Sequence, residues 1–243
     1  MKGYEYSFMK RSEINSILKK DIEFAKKHKI YFPNFANWNK EDWQNLDERY
    51  REIVDNMLGW DVTDFGSGNF EKYGLVAFTF RNGNYNRKDL YPKPYCEKVL
   101  FLDEGQELPY HYHKLKEEDT INRGGGNLLI KVWNSVGNDL DRESPVTLKK
   151  DGEQLTVPAG TTIRLKPGES LTTTQGIYHK WNVEKNTGDV LVWEVSSTND
   201  DKVDNYFYEK YPRIPKIEED EEPYRVLFGD YDLLNLNFEK LDK

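Results

Sequence analysis

The sequence predicts a mainly β protein, an antiparallel barrel or double-sheet jelly roll with N-terminal α-helices packed on it. From about residue 70, apolar residues recur with a period of two, first in "KYGLVAFTFRNG" (72–83) and "CEKVLFLDEG" (96–105). Turn residues such as Asn82-Gly83, Asp151-Gly152 and Pro167-Gly168 separate the segments. Short strands between Gly/Pro turns, without interleaved helices, are typical of antiparallel barrels and jelly rolls.

The remaining strands follow at short intervals. They are predicted in "NLLIKVWNS" (127–135), "SPVTLKK" (144–150), "QLTVPAG" (154–160), "TTIRLKPG" (161–168) and "DVLVWEVSS" (189–197).

The first part of the chain has helical periodicity instead. One helix is predicted from Ser12 to Lys29 and a second from Asn39 to Leu58, each with apolar residues at spacings of three and four. Asn39 with Asp42 resembles a capping box, and Gly59 is placed to end the second helix. We therefore expect a helical extension over residues 1–69 and a barrel over residues 70–243, forming one compact unit.

Composition excludes some classes of function. A net charge of −8, without a cluster of basic residues clear of acids, disfavours nucleic acid as a partner. No apolar run reaches the roughly 18 residues of a membrane span, and residues 1–10 lack the apolar centre of a signal peptide. Cys96 is the single cysteine, so an internal disulfide is excluded and the cytoplasm is the expected compartment. We expect Cys96 to be a small buried apolar residue.

Three of the four histidines point to a metal site. His28 falls in the last turn of the first helix, where a structural role suffices. His111 and His113 are two residues apart, so in a strand both imidazoles face the same side. Glu118 can return to that point after a short bend and add a carboxylate. The alternative is a buried histidine pair satisfied by hydrogen bonds.

A later segment offers a third imidazole. In "PGESLTTTQGIYHKWN" (167–182), Gly176 allows a tight turn, after which His179 enters a strand. That strand is placed to cross the barrel toward the other two histidines.

These residues resemble the two motifs of the cupin superfamily. Gly105, His111, His113, Glu118 and Gly125 have the spacing of the first motif. The second is similar to Gly168, Gly176, His179 and Asn182, although Thr174 stands where proline is usual and Asn182 comes one residue early. Glu117 also lies within the tolerance of the first motif, and we favour Glu118 as the ligand.

A longer resemblance is more specific. The string "HYHKLKEEDTINRGGGNLLIKVWNS", with "GIYHKWN", "EVSSTNDDKVDNYF" and "PRIPKIEEDEEPYRVLF" downstream, is similar to the D-lyxose isomerase family over roughly residues 70–228. The resemblance implies a jelly-roll barrel, a homodimer and one divalent metal, most simply Mn²⁺, with Co²⁺, Fe²⁺ or Zn²⁺ as alternatives. It implies interconversion of D-lyxose and D-xylulose, and of D-mannose and D-fructose, by proton transfer through a metal-stabilised enediolate.

Such a reaction needs a group that carries a proton between two carbons. Glu194 lies in "VLVWEVSS". If it faces the barrel interior, it is a candidate acid/base or substrate ligand; the alternative is an acid that faces solvent as part of the strand alternation. Lys116 either carries the proton or donates to a sugar oxygen, unless it is a solvated loop lysine.

Other residues are candidates for holding the sugar. Arg123 has fork geometry suited to hydroxyls, but an ion pair with Glu117 or Asp119 is an alternative. Asp200 and Asp201 bind hydroxyls at the open end of the barrel or cap a loop. An apolar wall against the sugar is predicted from Trp133, Trp181 and Phe78, although aromatics at strand spacing also fit a core. The glycines Gly124 to Gly126 are expected to let a tight loop pass close to the metal site.

Two other functions are compatible with the same ligands. A cupin with ferrous iron could act as a dioxygenase, which would consume O₂, and a non-catalytic cupin could bind sugar without turnover. The acidic run at residues 216–223 is either a solvated loop or the source of one acid for a site.

Overall fold

A computed structural model describes residues 8–209, 212–234, 236 and 238 of the chain. Its α-helices are α1 (Arg11–Lys27), α2 (Lys40–Gln44) and α3 (Arg51–Asp55), and 3-10 turns lie at Asn34–Asn37, Glu48–Tyr50 and Phe228–Leu233. The strands described are β1 (Phe8–Lys10), β2 (Gly59–Thr63), β3 (Leu75–Arg81), β4 (Tyr95–Leu102), β5 (Glu107–His113), β6 (Glu118–Gly125), β7 (Leu128–Val136), β8 (Asp139–Asp141), β9 (Val146–Lys150), β10 (Glu153–Val157), β11 (Thr162–Leu165), β12 (Ser170–Thr173), β13 (Ile177–Val183), β14 (Val190–Ser197), β15 (Asn205–Phe207) and β16 (Lys216–Glu218).

Two antiparallel sheets form the jelly roll, as predicted. One has eight strands in the order β10-β9-β12-β6-β14-β4-β3-β2, and the other has the order β11-β7-β13-β5-β15 with β8 paired to β7. Apolar residues of both sheets meet in one core, among them Leu100 from the first sheet and Ile130 from the second. The sheets thus enclose the face on which β5 and β13 carry their histidines.

A second core lies on the outside of the eight-stranded sheet. Ile14, Leu18 and Ile22 of α1 pack there against residues of β3 and β4, including Val76 and Phe101. The part of the eight-stranded sheet formed by β3 and β4 is therefore buried on both faces, and the predicted first helix covers its outer face. Among the described residues, no helix is long and apolar enough to cross a membrane.

The second predicted helix, Asn39 to Leu58, is corrected by the structure. The predicted capping box is present, because Asn39 Oδ1 accepts from the Asp42 N–H while the Asp42 carboxylate accepts from the Asn39 N–H. The helix that it begins ends at Gln44, and the chain then forms a 3-10 turn and α3. A new cap at Asp47 explains the break, since its carboxylate accepts from the Arg49 N–H.

The end of this helical region also differs from the prediction. Met57 adopts the left-handed conformation, with φ of 54°, and Gly59 with φ of 104° begins β2 instead of ending a helix. β2 lies before the expected boundary at residues 69 and 70, yet it pairs with β3 along its whole length. The division into an extension and a barrel stays a prediction.

The acidic run holds the start of the first helix. β16 pairs in parallel with β1, and Glu219 receives two hydrogen bonds from the buried Arg11 guanidinium. Asp220 accepts from the Ser12 backbone N–H at 2.9 Å, at the positive end of the helix dipole. The acids of the run are exposed, as predicted for a solvated segment, and they pair with the N-terminal helices rather than with the histidine cluster.

Candidate metal centre

Three imidazoles converge between the two sheets. His179 of β13 lies directly opposite His111 of β5, and His113 is two residues farther along the same face. The ring centroids of His111 and His179 are 4.2 Å apart, and those of His113 and His179 are 5.2 Å apart. One nitrogen of each ring lies within 4.8 Å of the others, and all three residues are buried. Such a cluster can hold a metal ion.

The orientation of two rings is fixed by main-chain carbonyls. His111 Nδ1 lies 2.8 Å from the Pro109 carbonyl oxygen, and His179 Nδ1 lies 3.0 Å from that of Ile177. A carbonyl oxygen only accepts, so each Nδ1 carries the hydrogen and each Nε2 keeps a lone pair. His179 Nε2 is buried and makes no hydrogen bond. A buried acceptor of this kind is costly unless a ligand satisfies it.

Glu118 supplies the carboxylate beside the rings. It begins β6, is buried, and places its carboxylate oxygens 3.2 Å from His113 Nε2 and 3.4 Å from His179 Nε2. Glu117 is exposed. The structure therefore places Glu118 rather than Glu117 at the cluster. Three imidazoles with one carboxylate fit a divalent transition metal such as Mn²⁺, Co²⁺, Fe²⁺ or Zn²⁺.

The surroundings of the cluster favour neutral imidazoles at His111 and His179, a charged one at His113 and an ionised Glu118. Burial lowers the pKa of His111 well below its usual value and that of His179 to about 4. Burial also opposes charge on His113, but the carboxylates of Glu118 and Asp204 outweigh it and raise the pKa of that imidazole. Burial opposes ionisation of Glu118 too, yet Lys116 and His113 hold its pKa well below the usual range.

A buried ion pair adjoins the cluster. Lys116 Nζ lies 2.9 Å from Glu118 and 2.6 Å from Glu194 Oε1, and both side chains of the second pair are at most 6% exposed. Burial opposes the ammonium charge, but Glu118 and Glu194 outweigh it and raise the pKa of Lys116 above its usual value. Lys116 is therefore a charged donor, and Glu194 faces the barrel interior.

Further charged residues extend this network. Lys98 of β4 lies opposite Glu194 of β14, with Nζ 3.9 Å from its carboxylate and 3.4 Å from that of Asp201. Arg213 lies 3.6 Å from Asp201 and 2.6 Å from the buried carboxylate of Asp61. Burial opposes ionisation of Asp201, but Lys98 and Arg213 lower its pKa. Asp201 thus lies in the charged network that adjoins the histidines.

Sequence reasoning missed Lys98, Asp61, Asp204 and Arg213. A signal existed for Lys98, which shares the inward face of its strand with Leu100 and Leu102, just as Glu194 stands among apolar neighbours. Arg213 and Asp204 lie outside the strands, where no periodicity marks a buried charge.

A small cavity of about 40 Å³ lies between the histidine cluster and the charged network, with His111, His113 and Glu118 in its wall. Its polar side is formed by the residues of the network, and its apolar side includes Leu100, Leu108, Trp181 and Phe207. Trp181 Nε1 is buried there without a hydrogen-bond partner. Charged groups on one side and apolar groups on the other match the oxygens and the C–H face of a small polyol, and a cavity of this size must widen to admit one.

Two predicted aromatic wall residues do not reach the cavity. Phe78 lies on the outer face of β3, where it packs against Phe32 and Trp60 beneath the helical region, whereas Ala77 faces the cavity. Trp133 lies on the outer face of β7 and packs against Tyr110 and Tyr178. Both strands are buried on each face at these positions, so alternation could not tell inward from outward. Of the predicted wall, Trp181 alone lines the cavity.

Two predicted polar residues also lie away from the cluster. Arg123 is exposed and alternates with the inward residues of β6, so its side chain leaves the sheet on the opposite face from Glu118. Asp200 caps a turn, with its carboxylate accepting from the Lys202 N–H at 3.0 Å and its carbonyl accepting from the Asp204 N–H. Neither side chain lies at the cluster, and Asp200 forms the loop cap that was the alternative to sugar binding.

The three glycines have a different structural role from the predicted one. Glu118 begins β6, whereas the glycines lie where the strand ends, about 20 Å away along it. A Cβ on Gly124 would be 2.7 Å from His28 Cδ2, and one on Gly125 would be 2.0 Å from the Asp189 carbonyl oxygen. The glycines therefore let β6 pass close to α1 and to the turn before β14, and His28 has a structural role as expected.

Comparisons with known proteins agree with this geometry. Residues 9–231 match the family model of D-lyxose isomerase. The chain is 44% identical over 224 residues to the D-lyxose/D-mannose isomerase of Escherichia coli O157:H7, covering 92% of this chain and 98% of that protein. It is 43% identical, with the same coverage, to the D-lyxose/D-mannose isomerase of Serratia proteamaculans.

Solved structures extend the likeness to the fold. The L-ribose isomerase of Cellulomonas parahominis matches with a TM-score of 0.58 at 16% identity, covering 88% of this chain and 100% of that one. The L-ribose isomerase of Acinetobacter sp. DL28, in complex with L-ribose, matches with a TM-score of 0.56 at 13% identity, covering 87% of this chain and 98% of that one. These matches support the jelly-roll architecture.

Proposed function

Since the chain belongs to the D-lyxose isomerase family, we propose that it interconverts D-lyxose and D-xylulose, and D-mannose and D-fructose. The observation that carries the proposal is the buried cluster of three histidines and Glu118 beside the pair of Lys116 and Glu194. An aldose–ketose isomerase needs both parts, because it must stabilise charge on sugar oxygens and move a proton between adjacent carbons.

His111, His113, His179 and Glu118 are the proposed metal ligands. The available lone pairs of the imidazoles, the unpartnered His179 Nε2 and the adjacent carboxylate support this role. A bound divalent ion, which we propose to be Mn²⁺, would act as a Lewis acid on the sugar oxygens. Co²⁺, Fe²⁺ and Zn²⁺ suit the same ligands and are distinguished by reconstitution.

Glu194 is the proposed proton carrier. Its carboxylate takes a proton from the carbon beside the sugar carbonyl and returns it to the carbonyl carbon on the same face, while the hydroxyl proton of the first carbon passes to the former carbonyl oxygen. Lys116 and Lys98 hold the carboxylate at 2.6 and 3.9 Å, which fixes its position toward the cavity. Because Lys116 is already paired with two carboxylates, we assign to it the role of donor to a sugar oxygen.

The remaining cavity groups are proposed to orient the sugar. Asp201, held by Lys98 and Arg213, is placed to accept from sugar hydroxyls. Trp181 and Phe207 offer apolar surface to the C–H face. These contacts keep the reacting carbons near Glu194 and exclude water from the carbanion-like charge.

We also propose a cytoplasmic homodimer. The cytoplasm suits a chain whose single cysteine, Cys96, is buried and free, with its pKa raised to about 12 by burial. The dimer is expected from the family resemblance, and sedimentation of the purified protein measures it.

The function is tested with a panel of four sugars. Protein stripped with a chelator and reconstituted with Mn²⁺ is incubated with D-lyxose, D-mannose, D-xylulose or D-fructose, and products are identified by chromatography. We expect each aldose to yield its ketose without O₂ uptake. O₂ consumption would indicate a dioxygenase, and binding without conversion would indicate a non-catalytic sugar-binding protein.

A further inference from the structure

His113 differs from the other two imidazoles in the group that faces its Nδ1. Main-chain carbonyls face Nδ1 of His111 and His179, but Nδ1 of His113 faces the Asp204 carboxylate, with 3.5 Å between Nδ1 and Oδ2. The Asp204 side chain is fully buried. A buried carboxylate oxygen requires a charged or donating partner. Asp204 Oδ2 and His113 Nδ1 are both buried without a hydrogen-bond partner, so each is left facing the other.

The other oxygen of Asp204 is anchored to the turn that follows His113. Oδ1 accepts from the Leu115 backbone N–H at 2.6 Å, and the Asp204 carbonyl oxygen accepts from the Lys114 N–H at 3.1 Å. The next residue, Asn205, pairs with His113 in β15 and β5. These main-chain contacts fix the carboxylate in place, so Oδ2 is presented to the imidazole.

We propose that Asp204 is a positioning residue that accepts the Nδ1–H of His113 and thereby keeps Nε2 of that ring available as a metal ligand. The inference rests on the proposed function, because it assumes a metal at the cluster. A carboxylate behind a ligating histidine fixes the tautomer and the ring orientation, and it increases the basicity of the ligand nitrogen. His113 is thus the imidazole of the three that is held by a charged group.

Asp204→Asn separates the proposed effect on the His113 tautomer from the support that Asp204 gives to the turn at Leu115. In Asp204→Asn, the amide oxygen can keep the Leu115 N–H bond while the NH₂ group faces His113 Nδ1. An NH₂ group donates, so His113 would have to accept at Nδ1 and carry its hydrogen on Nε2, the wrong tautomer for binding metal. Asp204→Ala loses the Leu115 bond but leaves the tautomer free.

The test measures Mn²⁺ affinity of the full chain by competition with a chelator, together with the thermal midpoint of the metal-free protein. We expect Asp204→Asn to weaken Mn²⁺ binding by about 10–100-fold, at least as much as Asp204→Ala. In the metal-free state, Asp204→Asn should be the more stable of the two. If Asp204 had a purely structural role, Asp204→Asn would lose less Mn²⁺ affinity and less thermal stability than Asp204→Ala.

Asp64→Asn is the matched control. Asp64 is a buried acid that accepts from the Gly66 and Gly68 N–H groups at 2.8 and 2.7 Å, so its variant should bind Mn²⁺ as the wild type does. Wild-type affinity in Asp204→Asn overturns the inference and leaves the proposed function standing. Absence of Mn²⁺ binding by the wild type overturns both.

Discussion

The ammonium of Lys116 lies 2.6 Å from the carboxylate of Glu194 and is buried with it. Glu118, beside the histidines, lies 2.9 Å from the same ammonium. Lys116 therefore joins the proposed metal ligand to the proposed proton carrier. Metal binding is assigned to Glu118 and proton transfer to Glu194, and mutation of one residue at a time can separate these two roles.

Glu194→Gln should retain metal and lose turnover. The amide keeps the shape of the side chain but cannot take a proton, so we expect kcat to fall by about 10²–10⁴-fold. Metal content by atomic absorption should stay near that of the wild type. Glu97→Gln is the control, because Glu97 lies on β4 and pairs with Arg81 outside the cavity. Equal kinetics of wild type and Glu194→Gln would reject the role.

Arg123→Gln should leave KM for D-lyxose within about twofold of wild type, because Arg123 leaves β6 on the exposed face. Steady-state kinetics of the wild type and the variant give the two KM values. A tenfold rise in KM would show that Arg123 reaches the sugar, as sequence reasoning alone predicted.

Phe78→Ala should lower stability rather than alter sugar binding. Phe78 is fully buried between β3 and the aromatic residues of the helical region, and emptying such a position costs about 3–5 kcal/mol. Urea unfolding measures the loss, and KM is measured on the folded fraction. Tyr31→Ala, at a residue 85% exposed, should change stability by less than about 0.5 kcal/mol. A changed KM with unchanged stability would place Phe78 at the substrate.

Asp21→Asn should stabilise the protein increasingly as pH rises. Burial on α1, with a smaller contribution from Asp103, raises the pKa of Asp21 to about 8 from an ordinary 3.8. The folded state therefore holds this proton more tightly than the unfolded state, and stability is lost as pH rises from about 4 to about 8.

Asparagine removes that loss, which is at most about 1.4 kcal/mol per pH unit for one proton. Urea unfolding of both proteins at about pH 5 and about pH 8.5 should show the larger advantage of the variant at the higher pH. An advantage that does not change with pH would mean that Asp21 ionises normally.

Local patterns predicted the fold and the histidines well, for a physical reason. Strand alternation and turn residues are encoded locally, and residues two apart in a strand share a face, which placed His111 beside His113. The capping box at Asn39 was correct, but the helix it begins is short because Asp47 caps a second turn. Propensity could not reveal that interruption.

Positions that depend on two-sided burial or on loops were not predictable. β3 is apolar on both faces, so Phe78 and Ala77 could not be assigned to the helix side or the cavity side. Asp204 and Arg213 reach the network through chain segments whose path is set by tertiary contacts. Their burial as charges depends on partners far away in sequence, such as Asp61 for Arg213.

The most direct measurement follows metal content and isomerase activity in the same samples. Chelated protein is titrated with Mn²⁺, and conversion of D-lyxose to D-xylulose is measured at each addition, for wild type and His179→Ala. We predict that activity rises in proportion to bound metal up to one ion per chain, and that His179→Ala neither binds nor converts. Full activity in metal-free wild-type protein would contradict the account.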